Sequence, residues 1–239
     1  MRVLDLFSGI GGFSLGLEQA GMTTVAFCEI DPFCRSVLRK HWPKVPQYDD
    51  IRTLSADTLE RDGITVEFIA GGFPCQDISV AGRGAGLKGE RSGLWREYAR
   101  LIREIRPRGV LVENVSALLG RGIGDVLGDL AESGYDAEWC CIPAWAVGLP
   151  HNRDRVWIVA HAREKRGLGS GQQSFSWVEN GRRAAEWAQR SAVSKTGICR
   201  ASDGFSNRVD RVGALGNAVV PAIVYEIGKA IMAAQEIEK

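Results

Sequence analysis

The chain has 239 residues, of which 45% are hydrophobic, so it can bury a core of its own as one or two domains. Its formal net charge at pH 7 is only +1, which argues against a uniformly basic or acidic binding protein. It has no run of eighteen apolar residues and no signal-like start, so we expect a cytoplasmic protein without a membrane partner.

Apolar runs alternate with amphipathic stretches from the N-terminus onward, which is typical of an α/β sheet protein. The helix predicted for residues 94–105 is the clearest element, with Ser92 as its N-cap and Pro107 just beyond its end. In chain order, the predicted elements are strand 3–7, helix 13–20, strand 24–30, helix 32–41, strand 67–70, helix 94–105, strand 110–112, helix 124–132 and a hairpin of strands 138–142 and 156–160.

Periodicity is lost over residues 163–207, where Gly, Ser, Gln and Arg are frequent, and it returns in a helix that begins near Pro221. We therefore divide the chain into residues 1–162, an inserted segment 163–207, and residues 208–239, which pack back onto the first part. Residues 162–211 carry ten Lys or Arg against five Asp or Glu. That composition suits a segment facing a polyanion, although a solvated basic surface has it too.

The six cysteines form no C-x-x-C pair and show no histidine spacing suited to zinc. We therefore expect reduced thiols, as in the cytosol, and no metal site.

A glycine-rich turn at residues 5–12 (DLFSGIGG) joins the first strand to the first helix, and Glu29 ends the next strand. Such a turn lets a cofactor approach the backbone, and an acidic side chain there can accept hydrogen bonds from ribose hydroxyls. Ser14 stands where the dinucleotide pattern G-x-G-x-x-G needs its last glycine. A nucleoside cofactor without pyrophosphate is thus at least as compatible as NAD, and a tight turn without a ligand would use the same glycines.

Residues 71–79 (GGFPCQDIS) directly follow an apolar strand, at the edge where parallel sheets bind ligands. Cys75, beside a stiff proline, suits a positioned nucleophile, although free cysteine is also a common buried hydrophobe. The glycine-rich stretch that follows, residues 80–93, has the composition of a closing lid or of a disordered connector.

Two further strand ends carry polar residues. Glu113 and Asn114 end one apolar strand and should reach the same edge, although such residues are often caps or turns. Arg153 and Arg155 begin another strand and point to one side of it. Two neighbouring guanidiniums suit a phosphate, a base carbonyl or the Glu113 carboxylate between them.

In order and spacing, these motifs closely resemble the motif series of the DNA (cytosine-5)-methyltransferase family. The resemblance covers about 190 residues and leaves out mainly residues 163–207. It implies a mixed, mostly parallel, doubly wound α/β sheet of the S-adenosylmethionine-dependent methyltransferase type, with residues 163–207 as a small basic target-recognition insert. The motifs are DLFSGIGG, Glu29 with Asp31, Asp50-Ile51, GGFPCQDIS, Glu113-Asn114-Val115, RDRVWIVA and Gly216-Asn217-Ala218-Val219.

The resemblance implies that S-adenosylmethionine is the cofactor and that Cys75 attacks C6 of a cytosine flipped out of duplex DNA. Glu113 would supply a proton toward N3, and we expect burial to raise its pKa while Arg155, the clamp on the base, opposes this. Arg153 would lie nearer the phosphate. The implied cofactor contacts are Phe7, Gly9, Gly11, Glu29, Asp50, Ile51, Gly71, Asn217 and Val219, and the implied substrate contacts are Gln76, Ser79, Arg83 and Arg91.

Two features depart from the family pattern. His151 and Asn152 replace the usual Gln and basic residue before the arginine pair, which puts local phosphate contacts in doubt. The recognition insert is short, so we expect a small footprint or relaxed specificity.

We expect a monomer, and compactness suggests a small bacterial or phage type, with a cognate restriction endonuclease as a candidate partner. Two alternatives stay open. One is an RNA cytosine-5 methyltransferase of the tRNA-modifying branch, whose Cys-Phe-Thr tripeptide is absent from this chain. The other is a catalytically weak DNA-binding regulator, which would show salt-dependent affinity without methyl transfer.

Overall fold

A computed structural model describes residues 1–74, 93–150, 153–163 and 218–237. For residues 236 and 237 it describes the backbone alone. Its strands are β1 (Arg2–Leu6), β2 (Thr23–Cys28), β3 (Gln47–Tyr48), β4 (Phe68–Gly71), β5 (Gly109–Val115), β6 (Tyr135–Pro143) and β7 (Asp154–Ala162). Its α-helices are α1 (Gly12–Gln19), α2 (Pro32–His41), α3 (Ala56–Arg61), α4 (Leu94–Ile105), α5 (Leu118–Arg121), α6 (Ile123–Glu132) and α7 (Pro221–Ile237), and a 3-10 helix covers Ala144–Val147.

The strands form one sheet in the order β3-β2-β1-β4-β5-β7-β6. The first five strands of that order run parallel, and β7 is antiparallel to both β5 and β6. Because the chain winds outward from β1 and then restarts on its other side at β4, the ligand crevice of such a sheet lies between β1 and β4. The predicted mixed, mostly parallel sheet and the predicted hairpin of the last two strands are confirmed.

Helices cover both faces of the sheet. One face buries a cluster that includes Trp95 and Tyr98 of α4, and the other buries a cluster that includes Phe13 of α1 and Val224 of α7. Helices α1 and α7 can approach closely because Gly16 has no side chain. A Cβ at this position would lie only 2.5 Å from the carbonyl oxygen of Pro221. The C-terminal helix therefore packs on the first helix.

Local sequence explains where the helices begin and end. Asp31 caps α2 by accepting from the backbone N–H groups of Phe33 and Cys34, with Pro32 in the first turn. Helix α4 ends at Ile105, and its C-cap, Arg106, adopts the left-handed conformation just before Pro107. Gly93 occupies its N-cap position, and Ser92, predicted as the cap, lies outside the described residues.

The structure adds elements that hydrophobic periodicity did not predict. Strand β3 has only two residues, and α3 has six, so neither shows a full period in the sequence. Strand β5 extends over seven residues because its polar end, Glu113 and Asn114, still pairs with β7. Within the described ranges, no helix is long and apolar enough to cross a membrane. The predicted insert lies almost wholly outside the described residues, so its boundaries at 162 and 207 stay a prediction.

Candidate active site

The loop between β1 and α1 bends sharply at the edge where the parallel strands end. Phe7, Gly9 and Gly11 all have positive φ angles, of 52°, 53° and 89°. A Cβ on Gly11 would lie 2.5 Å from the ring of Trp42, and one on Gly12 would lie 2.7 Å from Val219. Close packing requires glycine at positions 11 and 12, and the positive φ angle favours it at position 11 as well. Because these glycines carry no side chains, the loop can present its backbone to the crevice.

A buried carboxyl lies directly behind this loop. Oδ2 of Asp5 accepts hydrogen bonds from the backbone N–H of Ser14 at 3.2 Å and from its hydroxyl at 2.7 Å. Complete burial raises the pKa of Asp5 to about 8, so the group is mostly neutral at pH 7. This contact explains why a serine stands at position 14, where the dinucleotide pattern has glycine. The Ser14 hydroxyl links α1 to β1, and a glycine has no side chain to do so.

Glu29 joins the ends of β1 and β2. Its Oε2 accepts from the backbone N–H of Gly9 at 2.6 Å, and its Oε1 accepts from that of Asp31 at 2.8 Å. An ionised carboxylate has about four acceptor positions, so two stay available for the hydroxyls of a ribose. Ile30, the next residue, is 63% exposed and puts apolar surface beside this polar group.

The predicted adenine contacts lie in the loop after β3. The carboxylate of Asp50 accepts from the guanidinium and backbone N–H of Arg52, and the guanidinium bonds lower its pKa. Ile51 is buried, and its carbonyl accepts from Nη2 of Arg100 in α4 at 2.8 Å. Sequence reasoning missed both arginines, because neither belongs to a motif and an arginine on the polar side of a helix is ordinary.

Glu113 is the buried carboxyl of the site, with 9% of its surface exposed. Nε of Arg155 lies 2.9 Å from its Oε1, and Oε2 lies 2.8 Å from where a Cβ on Gly72 would be. Trp157 stands directly opposite Glu113 on β7. Burial raises the pKa of Glu113, while Arg155 and Arg153 lower it by their charge, and the net direction is upward. The sequence names these two opposing effects but not their balance, and in the structure burial is the larger.

Asn114 fixes the loop that follows β4. Its buried side-chain amide donates to the carbonyl of Phe73 at 3.0 Å. Pro74 is the last residue described before the predicted nucleophile. Gly71 ends β4 and leaves no room for a side chain, since its Cβ would lie 2.4 Å from the carbonyl oxygen of Leu6. The predicted residues outside the described ranges are Cys75, Gln76, Ser79, Arg83, Arg91, His151, Asn152 and Asn217.

A cavity of about 690 Å³ opens beside the glycine turn. Its wall includes Gly11, Gly12, Arg153 and Val219. Val219, from the chain just before α7, thus lines this space next to α1, and its contact with the cofactor stays a prediction. The structure gathers the described members of the predicted site at one sheet edge, on loops from β1, β2, β3, β4, β5 and β7.

A family model described as C-5 cytosine-specific DNA methylase matches residues 1–196. The chain belongs to this family. The matched residues include every described motif of the sheet edge except Val219.

Known members of the family share substantial identity with the chain. It is 40% identical over 168 residues to the type II methyltransferase M2.BsuMI of Bacillus subtilis (strain 168), covering 67% of this chain and 42% of that protein. It is 38% identical over 163 residues to M.Eco47II of Escherichia coli, covering 66% and 39%. The chain therefore spans less than half the length of either relative.

Solved structures agree with the fold. A protein from an E. coli prophage, described as a DNA modification methyltransferase, superposes with a TM-score of 0.58 at 26% identity, covering 68% of this chain and 47% of that one. The Entamoeba histolytica methyltransferase EhMeth superposes with a TM-score of 0.68 over 98% of both chains. At 14% identity, that match speaks for the fold alone.

Proposed function

We propose that this chain transfers a methyl group from S-adenosylmethionine to C5 of a cytosine flipped out of duplex DNA. The observation that carries the proposal is Glu113, a buried carboxyl with a raised pKa that Arg155 holds at the crevice edge. A carboxyl whose pKa is raised by burial holds its proton more readily than a solvated one, which suits it to act as a general acid. Family membership supports the reaction class.

The loops beside Glu113 suit a nucleoside carrying an amino acid. The turn at residues 7–12 brings backbone close to the crevice, Glu29 keeps two acceptor positions for ribose hydroxyls, and Ile30 offers apolar surface to a base. S-adenosylmethionine, when bound, supplies an electrophilic methyl group on its sulfonium.

The protein's part in the reaction is addition, protonation and elimination. The Cys75 thiolate adds to C6 of cytosine, and the displaced electrons take the Glu113 proton at N3. C5 then has enamine character and can accept the methyl group. A base then removes the C5 proton, the Cys75 thiolate leaves, and the N3 proton returns to Glu113, which restores both the ring and the carboxyl. Arg155 would hold both the base and Glu113, and its charge keeps the carboxyl ready to release its proton.

The partners follow from the same reaction. Duplex DNA is the proposed substrate, residues 163–207 would read it, and Arg153 would lie toward the phosphates. We propose a monomer that works in the cytoplasm. A cognate restriction endonuclease is the candidate functional partner, because the similar proteins are type II methyltransferases.

The test is to incubate the purified protein with S-adenosylmethionine and unmethylated duplex DNA and to read every cytosine by bisulfite sequencing. We expect methylation at a defined or relaxed set of cytosines. Unmodified DNA from a preparation that binds the cofactor would contradict the proposal. Parallel transfer to RNA would then identify the RNA enzyme, and DNA binding without transfer would identify the regulator.

A further inference from the structure

Arg100 of α4 forms hydrogen bonds to the loop between β3 and α3, which carries the predicted adenine contacts Asp50 and Ile51, in addition to its ion pairs with carboxylates. Its Nη2 donates to the carbonyl of Ile51 at 2.8 Å and to that of Leu54 at 2.9 Å. Both acceptors lie nearly fifty residues away in sequence, in the loop between β3 and α3. One guanidinium nitrogen thus fixes two carbonyls of the loop that carries Asp50 and Ile51.

Two carboxylates hold the guanidinium in that position. Nε of Arg100 donates to Glu97 at 2.7 Å, and Nη1 donates to Glu104 at 2.8 Å, so the fork is oriented from two sides. Glu104 also accepts from the backbone N–H of Ala56 at 3.2 Å, which adds a second link between α4 and the same segment. Only 29% of the Arg100 side chain is exposed. A rigid guanidinium fork can make these bonds together, whereas a lysine ammonium cannot.

Further contacts restrict the conformation of the loop whose Ile51 and Leu54 carbonyls Arg100 holds. The backbone carbonyl of Asp50 accepts from Thr53 and Leu54, which closes a tight turn, and the side chains of Ile51 and Leu54 are buried. The orientation of the peptide that follows Ile51 therefore depends on Arg100. The Asp50 carboxylate belongs to the same turn and accepts hydrogen bonds from Arg52.

We propose that Arg100 is a positioning residue for the cofactor, which acts by holding the Asp50–Leu54 turn in the arrangement that selects adenine. The inference rests on the proposed use of S-adenosylmethionine. An ionised Asp50 can accept from the exocyclic amino group of adenine, whereas hypoxanthine presents a carbonyl oxygen there and would be rejected. Loosening the turn should therefore lower the preference for adenine, and not only the affinity.

The test measures calorimetric Kd values for S-adenosylhomocysteine and S-inosylhomocysteine in the wild type, Arg100→Met and Arg100→Lys. Arg103→Met, an exposed change on the same helix, is the matched control. We expect Arg100→Met to weaken S-adenosylhomocysteine binding about tenfold and to reduce the preference for the adenosyl ligand at least about fivefold, because misplaced acceptors lose discrimination. Arg100→Lys should fall between Arg100→Met and the wild type, and Arg103→Met should match the wild type within twofold.

The outcomes separate the two claims. If the wild type binds S-adenosylhomocysteine and Arg100→Met keeps its adenine preference, the positioning role is wrong and the proposed function stands. Equal loss of affinity for both ligands would assign Arg100 a merely structural role. If the wild type binds neither ligand, the proposed function fails, and the inference fails with it. Arg100→Lys keeps the positive charge between Glu97 and Glu104, so it serves as the decisive variant if Arg100→Met does not fold.

Discussion

Gly72→Ala should damage the proposed reaction without unfolding the protein. The new Cβ would lie 2.8 Å from Oε2 of Glu113, whereas ordinary van der Waals contact begins at 3.4 Å, so the carboxylate must retreat by about 0.6 Å. A displacement approaching 1 Å at a reacting group can cost on the order of a hundredfold in rate. We expect kcat for methyl transfer to fall by about 10- to 100-fold. The unfolding free energy should change by no more than about 1 kcal/mol, because the obstacle is the end of a flexible side chain.

The assay is steady-state transfer of tritiated methyl groups to unmethylated duplex DNA, combined with urea denaturation of each variant. Gly128→Ala is the matched control, since that glycine is exposed on α6 and a Cβ there meets nothing within 4 Å. It should keep the wild-type kcat within about twofold and gain about 0.5–1 kcal/mol of stability. Wild-type turnover by a folded Gly72→Ala protein would refute the idea that the close approach of Gly72 sets the position of Glu113.

Three further changes test the other parts of the site. Cys75→Ser should abolish methyl transfer and leave the calorimetric Kd for S-adenosylmethionine within about twofold, and retained turnover would remove Cys75 as the nucleophile. Glu29→Ala should weaken S-adenosylmethionine binding by about 1.5–3 kcal/mol through lost bonds to a charged acceptor, and an unchanged titration would remove Glu29 from the ribose site. Asp5 should make wild-type stability fall as pH rises from about 4 to about 8, because the folded state retains a proton that the unfolded chain releases. Urea denaturation of Asp5→Asn should lack this contribution, which is at most about 1.4 kcal/mol per pH unit, and parallel stability curves would contradict the raised pKa.

The fold was predictable because its major elements have full hydrophobic periods. The spacing of apolar residues predicts α4 over residues 94–105, and the structure has that helix with the same bounds. Strand β3 and α3 are too short to show a period, and β3 also depends on its pairing with β2, which is distant in sequence. Periodicity reports burial on one face, so it cannot reveal elements of two or six residues.

The site was predictable where a residue belongs to a motif and not where it acts through another residue. Glu29 and Glu113 follow from their places at strand ends, and the structure brings both to one edge. The support behind them depends on tertiary contacts: Ser14 bonds Asp5, Asn114 holds the Phe73 carbonyl, and Arg100 reaches carbonyls nearly fifty residues away. A single sequence carries no signal for such pairs. The close approach of Gly72 to Glu113 is likewise visible only in three dimensions.

The most direct test of the account is to trap the covalent step. Duplex DNA in which every cytosine is 5-fluorocytosine would be incubated with the protein and S-adenosylmethionine, and any adduct resistant to denaturation would be mapped by peptide mass spectrometry. Fluorine at C5 cannot leave as a proton, so the enzyme stays attached after methyl transfer. We predict one cofactor-dependent adduct, located at Cys75, that forms more slowly in Glu113→Gln. An adduct at another residue, or none from protein that methylates ordinary DNA, would contradict the covalent role of Cys75.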